Sequence, residues 1–468
     1  MAPAAEVRTS SKRKFNAENG DKHGLTKRTS KENTPSPTDA AAYYEKHSII
    51  IHGDTDLEFP PCLDFSAAAF SSKLMHLVSE FKEPTPIQAA CWPALCAGRD
   101  LVGIAETGSG KTLAFGLPAL THAKNGNSIK VLVLAPTREL ALQTYQVLAK
   151  HTKTNTVCVY GGVPKHEQRQ ALAKAHIVIA TPGRILDFIQ EDSVDLARIS
   201  LLVLDEADRM LDFGFEQDVR TIVQACTNEQ RQTVMFSATW PQSVRTLAAE
   251  FMRPQGLIRV HIGNVDQLAA NTRIEQHVLV LDDPRDKDPQ LLSLLRQVHR
   301  NRDNRVLVFA LYKKEAARLE AMLNKNGWNA CAIHGDKGQR DREQALEAFR
   351  NGSCPLLVAT DVAARGLDIP GVEFVINYTF PLTIEDYVHR IGRTGRGGKH
   401  GVAHTFFTTY DKAHAGALRN VLQKAGATIP EALNKFGGTV KKKENKNYGA
   451  FYREVDPTVK GTKIVFSD

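Results

Sequence analysis

Short apolar runs recur along the chain, and each ends in a polar or Gly/Pro loop. One series is Leu101–Ala105, Val131–Ala135, Val157–Tyr160, Ile177–Ala180, Leu201–Leu204 and Val234–Phe236. A second is Val278–Leu281, Val306–Ala310, Ala330–His334, Leu356–Thr360, Phe374–Asn377 and the strand-like Val402–Phe407. Inside most runs the apolar residues are consecutive. Consecutive apolar residues suit strands buried on both faces of a parallel sheet, and the helix-length intervals supply the crossovers. The fold class is therefore α/β, with two parallel-sheet domains in tandem. The pattern breaks around Arg253-Pro254 and a polar, Asn-containing stretch. The domains are placed at 56–258 and 275–425, with a linker at 259–274. Residues 1–55 are rich in Ser, Thr, Asn, Lys and Pro with little apolar periodicity, and are expected to be disordered. Residues 426–468 read as a basic extension.

Composition narrows the class. At 468 residues and 42% hydrophobic, the chain has material for two or three cores. No apolar run approaches the ~18–20 residues of a membrane helix, so no membrane partner is expected. The polar N-terminus lacks the pattern of a secretory signal. Seven scattered cysteines without a Cys-x-x-Cys pair argue against a zinc site or disulfide framework and for a reduced, intracellular setting. Net charge is +8. Residues 1–40 hold eight Lys/Arg against five Asp/Glu, and residues 435–463 hold eight against three, so +3 and +5 make up the whole excess. Basic tails on a neutral body attract a polyanion without regard to its sequence, although such tails also serve simply as solvated solubilisers.

Several loops carry chemistry. Leu101–Ala105 leads into Ala105-Glu106-Thr107-Gly108-Ser109-Gly110-Lys111-Thr112 and then a helix-like Leu113-Ala114-Phe115. Strand, Gly-rich loop, Gly-Lys-Thr and helix is the setting of a phosphate-binding loop. Ala105 stands where the strict pattern has Gly. Leu201–Leu204 runs straight into Asp205-Glu206-Ala207-Asp208. Open α/β sheets bind ligands at the carboxyl ends of their strands, so these acids sit where a phosphate-bound metal would be. Other loops after strands share that edge: Pro136-Thr137-Arg138-Glu139-Leu140, Gly161-Gly162, Thr181-Pro182-Gly183-Arg184 and Ser237-Ala238-Thr239. Each alone reads as a turn or helix cap. The second series has no phosphate-binding loop. It carries Gln339 and Arg342, then the stretch Ala359 to Asp368, then His389-Arg390-Ile391-Gly392-Arg393-Thr394-Gly395-Arg396.

With these motifs in this order, the chain resembles the DEAD-box RNA helicases from about Phe65 to about Gly401. Asp205-Glu206-Ala207-Asp208 is that family's name-giving motif. The resemblance implies two RecA-like domains with ATP and RNA in the cleft between them. It places Phe65 and Gln88, within Phe65 to Pro84-Thr85-Pro86-Ile87-Gln88, at the adenine; by residue type alone they read as a core Phe and a helix start. Glu80 departs from the Gly that many members have there. Ala105, Glu106, Thr107, Gly108, Ser109 and Gly110 would cradle the phosphates. Lys111 would bind the β/γ-phosphates, and Thr112 and Asp205 would hold Mg²⁺. Glu206 would orient and deprotonate the attacking water. His389 and Asp208 would join the domains near the γ-phosphate, Gly366 and Asp368 would meet the nucleotide, with Asp368 on the ribose, and Arg393 and Arg396 would act as arginine fingers. Pro136, Thr137, Arg138, Gly161, Gly162, Thr181, Pro182, Gly183, Arg184, Gln339, Arg342, Thr360 and Arg365 would line the RNA path.

The implied partner is RNA held by its backbone, with weak sequence preference and a monomeric protein. The wording Asn434-Lys435-Phe436-Gly437 through Lys441-Lys442-Lys443-Glu444 resembles a fungal nucleolar subgroup that assists large-subunit ribosomal RNA processing. It implies pre-rRNA and pre-ribosomal proteins as partners, and nucleus and nucleolus as the location. Tyr448, Phe451 and Tyr452 would stack on single-stranded bases or dock on the second domain. Two rival classes compete with this reading: a clamp shares every motif, whereas the stretch through Gln88 and the Asp-Glu-Ala-Asp tetrapeptide argue for RNA against a DNA helicase. An ATP-gated RNA clamp differs in duplex-release rate against clamp lifetime, and a DNA helicase differs in its ATPase response to a 2′-deoxy strand. A helicase of another nuclear pathway is a third reading.

Overall fold

A computed structural model describes residues 35–53, 59–68, 70–106, 108–123, 128–149, 154–254, 256–263, 273–361, 371–396 and 399–437. The first domain holds β1 (Ile49–His52), β2 (Leu101–Ile104), β3 (Val131–Leu134), β4 (Thr156–Val159), β5 (Ile177–Ala180), β6 (Leu201–Leu204), β7 (Gln232–Ser237) and β8 (Ile258–Ile262). They form one sheet in the order β1-β8-β2-β7-β6-β3-β5-β4. Only the β1–β8 pairing is antiparallel. The second domain holds β9 (Ile274–Leu281), β10 (Arg305–Ala310), β11 (Ala330–Ile333), β12 (Leu356–Thr360), β13 (Val372–Asn377) and β14 (Gly401–Thr408). Its sheet is parallel throughout, in the order β11-β12-β10-β13-β14-β9.

Every residue of β2, β3, β5 and β6 is buried, because helices cover both faces. Each sheet therefore separates two apolar clusters, one per face. This is the tandem RecA-like arrangement, and it fixes the order of loops along one edge. β7 lies between β2 and β6, so Ser237-Ala238-Thr239 emerges between the phosphate loop and the acids. β3, β5 and β4 follow on the far side, carrying the Arg138, Thr181 and Gly161 loops in turn.

Three boundaries differ from the sequence reading. Within 1–55, residues Pro37–Lys46 are a helix and Ile49–His52 is a strand. Tyr43, Tyr44 and Ile49 pack on the first core, and β1 pairs with β8. A four-residue edge strand leaves no periodic signal to detect. Within the expected linker, β8 reads Ile-Arg-Val-His-Ile, so its alternation hides it from a search for continuous runs. Beyond residue 425, the turn Glu431–Phe436 still belongs to the second core. Leu433 is buried there, and the Phe436 ring lies 5.6 Å from that of Phe407. Of the candidate site residues, Thr107, Arg365, Gly366 and Asp368 lie outside the described residues, as do Tyr448, Phe451 and Tyr452.

Candidate active site

The phosphate loop connects β2 to the helix Lys111–His122. Gly110 occupies the left-handed region at φ +95°, and a Cβ there would come within 2.6 Å of Gln88 Nε2 and 2.8 Å of Thr85 Oγ1. Glycine is required on both counts. Gln88 uses both ends of its amide. Its Oε1 accepts from the Thr85 backbone N–H at 3.1 Å, and its Nε2 donates to the Gly110 carbonyl at 3.1 Å. The amide that the family resemblance assigns to adenine thus also ties the helix Pro86–Cys96 to the phosphate loop. Phe65 is half-buried, its ring 6.0 Å from Trp92.

Lys111 is buried, and its Nζ donates to the carbonyls of Ala105 at 2.7 Å and Glu106 at 2.8 Å. Burial pulls its pKa down, while Asp205, Glu206, Asp208 and Glu106 work against that shift. Asp205 follows β6 and is itself buried. Burial first, then the neighbouring Glu206, pushes its carboxyl up to about 7 despite Lys111. Glu206 has φ +52°, a left-handed conformation that a non-glycine residue adopts only under constraint. This turn lets the chain leave β6 and enter the helix Ala207–Asp212 with the carboxylate held at the strand end.

Asp208 carries the next link. Its Oδ2 accepts from Thr239 N–H at 3.1 Å and from Thr239 Oγ1 at 2.7 Å. Arg209, one residue on, donates to Asp386 Oδ1 at 2.7 Å across the cleft. Asp386 lies on the helix Ile384–Ile391, which also carries His389 and Arg390. His389 and Arg393 are buried. Arg396 lies against the phosphate loop: a Cβ built at Gly108 would meet its Cγ at 3.3 Å. Arg390 is different. Its Nε and Nη2 each donate to Asp361 at 2.6 Å, its Nη1 reaches the Thr379 carbonyl at 2.6 Å, and it lies 5.0 Å from the Phe309 ring centroid. Of the three arginines in that run, Arg390 is a buried structural brace.

On the other side of the acids, Arg138 donates to Gln339 Oε1 at 3.2 Å across the domains. Arg342 pairs with Glu139 at 2.6 Å, with 13% and 11% of the side chains exposed. Arg138 also covers the Gly161-Gly162 turn. Gly162 has φ +89°, and a Cβ there would collide with the Arg138 guanidinium. Arg184 is buried and donates to the Val163 carbonyl at 3.1 Å and to Gln168 Oε1 at 3.2 Å. Thr137 caps its helix by accepting from Leu140 N–H at 3.2 Å. Pro136, Thr181, Pro182 and Thr360 are buried, whereas Gly183 is exposed with open space around it. Arg138 and Arg342, expected on RNA, therefore also brace the cleft, while Arg184 braces the first domain's own loop.

Two family models match the chain: the DEAD/DEAH box helicase over residues 85–247 and the helicase conserved C-terminal domain over residues 286–398. The Saccharomyces cerevisiae protein named ATP-dependent RNA helicase DBP3 is 53% identical over 437 residues, covering 92% of this chain and 83% of that one. The protein of the same name from Yarrowia lipolytica is 53% identical, covering 91% and 80%. The chain belongs to the DEAD-box ATP-dependent RNA helicases. The helicase also superposes on solved structures of both domains. S. cerevisiae Dbp5 bound to RNA and ADP BeF3 matches with a TM-score of 0.67 and 29% identity, covering 80% of this chain and 94% of that one. Mss116p bound to single-stranded RNA and AMP-PNP matches with a TM-score of 0.72 and 27% identity, covering 81% and 80%.

Reading the sequence of this helicase missed Arg209 with Asp386, Glu139 with Arg342, and Asp361 with Arg390. Partners separated by 177 and 203 residues leave no local pattern. One signal was available: Arg209 and Glu139 each adjoin a motif residue, and a charge next to a motif is worth tracing to a partner.

Proposed function

We propose that Glu206 activates water for ATP hydrolysis, that Arg393 and Arg396 complete the site from the second domain, and that this cycle remodels pre-ribosomal RNA in the nucleolus. The observation that carries the mechanism is Arg396 lying against Gly108 of the phosphate loop. The first domain offers the loop, Lys111 and the acids. The second offers the arginines, so the site is complete only when the domains are together.

The residues present fit Mg²⁺. Asp205 is a buried carboxylate beside Glu206, and burial first, then Glu206, raises its pKa despite Lys111, so its ionised form is short of compensating positive charge. A hard divalent cation would supply that charge, and Thr112, next to Lys111 at the start of the helix Lys111–His122, would offer a second oxygen ligand. Held by Asp205 and Thr112, Mg²⁺ would offset charge on the nucleotide phosphates. Lys111 exchanges the Ala105 and Glu106 carbonyls for phosphate oxygens. Glu206 holds a water and takes its proton. Asp208, through Thr239, ties the acid motif to the neighbouring loop, and Arg209 carries that tie to the second domain. RNA running over Arg138, Gly161, Gly162 and Thr181 contacts the same loops and favours closure by binding that state more tightly.

The basic tails and the resemblance of the segment from Asn434 to Glu444 to a fungal nucleolar subgroup support pre-rRNA as substrate and pre-ribosomal proteins as neighbours. The test has two arms. Glu206→Gln should abolish turnover while retaining ATP and RNA; unchanged turnover removes Glu206 as the base. Depletion followed by blotting should show accumulated large-subunit precursors. Normal precursors with the protein spread through the cytoplasm would overturn the nucleolar assignment.

A further inference from the structure

The helix Lys287–Val298 and the loop after it carry a basic cluster that neither the ATP site nor the RNA path uses. Arg296 lies in the last turn of this helix, and residues 299–304 connect it to β10. Arg296, Arg300 and Arg302 line an open pocket of about 280 Å³ with Leu292, Asn326 and Trp328. These residues immediately precede β10 and β11, so the pocket opens at the N-terminal edge of the second sheet. The catalytic loops leave the opposite edge. β10 is six residues long, which separates the two edges by about 20 Å.

The pocket is built, not a loose run of charges. His299 is buried with its ring 5.8 Å from that of Trp328. Asn304 Nδ2 donates to the Val298 carbonyl at 2.6 Å, and Arg302 N–H donates to the His299 carbonyl at 3.2 Å. Arg302 sits at φ +60°, donates from Nη1 to the Gly327 carbonyl at 2.9 Å and lies 5.0 Å from the Trp328 ring centroid. Its guanidinium is held in place by the Gly327 carbonyl and the Trp328 ring. Among the described residues, neither Arg296, Arg300 nor Arg302 makes an ion pair, and Asp303 is the one acid in residues 299–304. A helix dipole accounts for a cation at Arg296. It does not account for Arg300 and Arg302, which lie past the helix end.

We propose that this pocket is a second RNA-backbone site, taking phosphates of a segment that lies outside the catalytic cleft. Arginine forks suit phosphate oxygens, and a fixed side chain loses less freedom on binding. An acidic protein face would need an apolar centre to bury. Here the apolar lining is Leu292 and Trp328, and Trp328 is itself buried with Arg302 stacked on it. A grip on the rear of the second domain keeps the enzyme on a long RNA while the cleft opens and lets its own strand go.

The test compares the full-length protein with the variant Arg296→Gln, Arg300→Gln, Arg302→Gln. One RNA is a short single strand that fills only the cleft, and the other is long and structured. ATPase stimulation by the short strand should be unchanged. Affinity for the long RNA without nucleotide should fall roughly tenfold, and its log–log salt dependence should flatten by about one unit per arginine removed. Unchanged affinity and slope on the long RNA overturn the proposal. Unchanged RNA binding with lost retention on pre-ribosomal particles also overturns it, in favour of a protein partner. Should the triple variant melt early, Arg300→Gln alone, at an exposed position, decides by the same slope.

Discussion

Arg209, directly after the Asp-Glu-Ala-Asp sequence, and Asp386 of the second domain form an ion pair of 2.7 Å with only 3% and 9% of their side chains exposed. The pair sits between the catalytic acids and the helix that presents His389. Asp386 is held from its own side as well: its Oδ2 accepts from Thr383 Oγ1 at 2.9 Å, and its N–H donates back to that oxygen at 3.0 Å. Arg209 is held by Asp212 at 2.9 Å. Each partner is thus positioned within its own domain before the two meet.

Breaking such a pair should act on closure rather than on folding of either domain. Removing one partner of a buried pair costs about 3–5 kcal/mol, whereas replacing both with apolar residues is nearly neutral. Arg209→Met alone and Asp386→Leu alone should each weaken ATP-dependent RNA binding by roughly 100-fold or more. Thermal stability should change little. The double variant should recover much of the loss. Additive losses in this cycle would show that the pair is not coupled across the cleft.

Arg396 should behave as a group supplied in cis to the ATP site. Arg396→Ala is expected to lower RNA-stimulated kcat by roughly 10³–10⁵, the range of arginine fingers elsewhere, with ATP binding to the first domain largely kept. Lysine should not restore it, because it lacks the planar fork. Arg390→Ala should instead lower the melting temperature, because Arg390 braces Asp361 and the Thr379 carbonyl. Near-normal kcat in both Arg393→Ala and Arg396→Ala would remove the interdomain site.

The strands that carry the chemistry were legible because they are buried on both faces: β2 and β6 are apolar at all four positions, and each ends in a distinctive loop. β1 and β8 were not. β1 is four residues at a sheet edge, and β8 places Arg259 and His261 between its apolar residues. Burial patterns describe one residue against its own domain. Arg209 with Asp386 and Arg342 with Glu139 are relations between domains, and they exist only after both domains have folded and met.

Gly110 offers a test of how tightly the adenine-side helix and the phosphate loop are fitted. Alanine there would force its Cβ to 2.6 Å from Gln88 Nε2 in a left-handed backbone. That conformation alone costs about 1–2 kcal/mol. Gly110→Ala should therefore weaken binding of a fluorescent ATP analogue at least tenfold while RNA binding without nucleotide is kept. Gln88→Ala should weaken it less and reduce the preference for ATP over GTP. Equal ATP affinity in wild type and Gly110→Ala would mean that the loop rearranges before it binds.

His404 predicts how the second domain responds to acid. It stacks 4.8 Å from His277, at an interplanar angle of 14°, and 6.4 Å from Phe374. Burial first, and His277 second, lowers its pKa to about 4, with Glu275 opposing. The unfolded chain protonates the same ring near pH 6.5. Above that value the ring is neutral in both states and has no pH-dependent effect. Between about pH 6.5 and 4 the unfolded state binds the proton and the folded state does not, so stability falls as the pH falls. His404→Phe keeps an aromatic ring between Phe374 and His277 and removes the titration. Melting temperatures of wild type and variant should run parallel above pH 7. They should diverge between pH 6.5 and 5, with the wild type losing more. Parallel curves down to pH 5 would mean that His404 takes its proton in the folded domain as readily as in the unfolded chain.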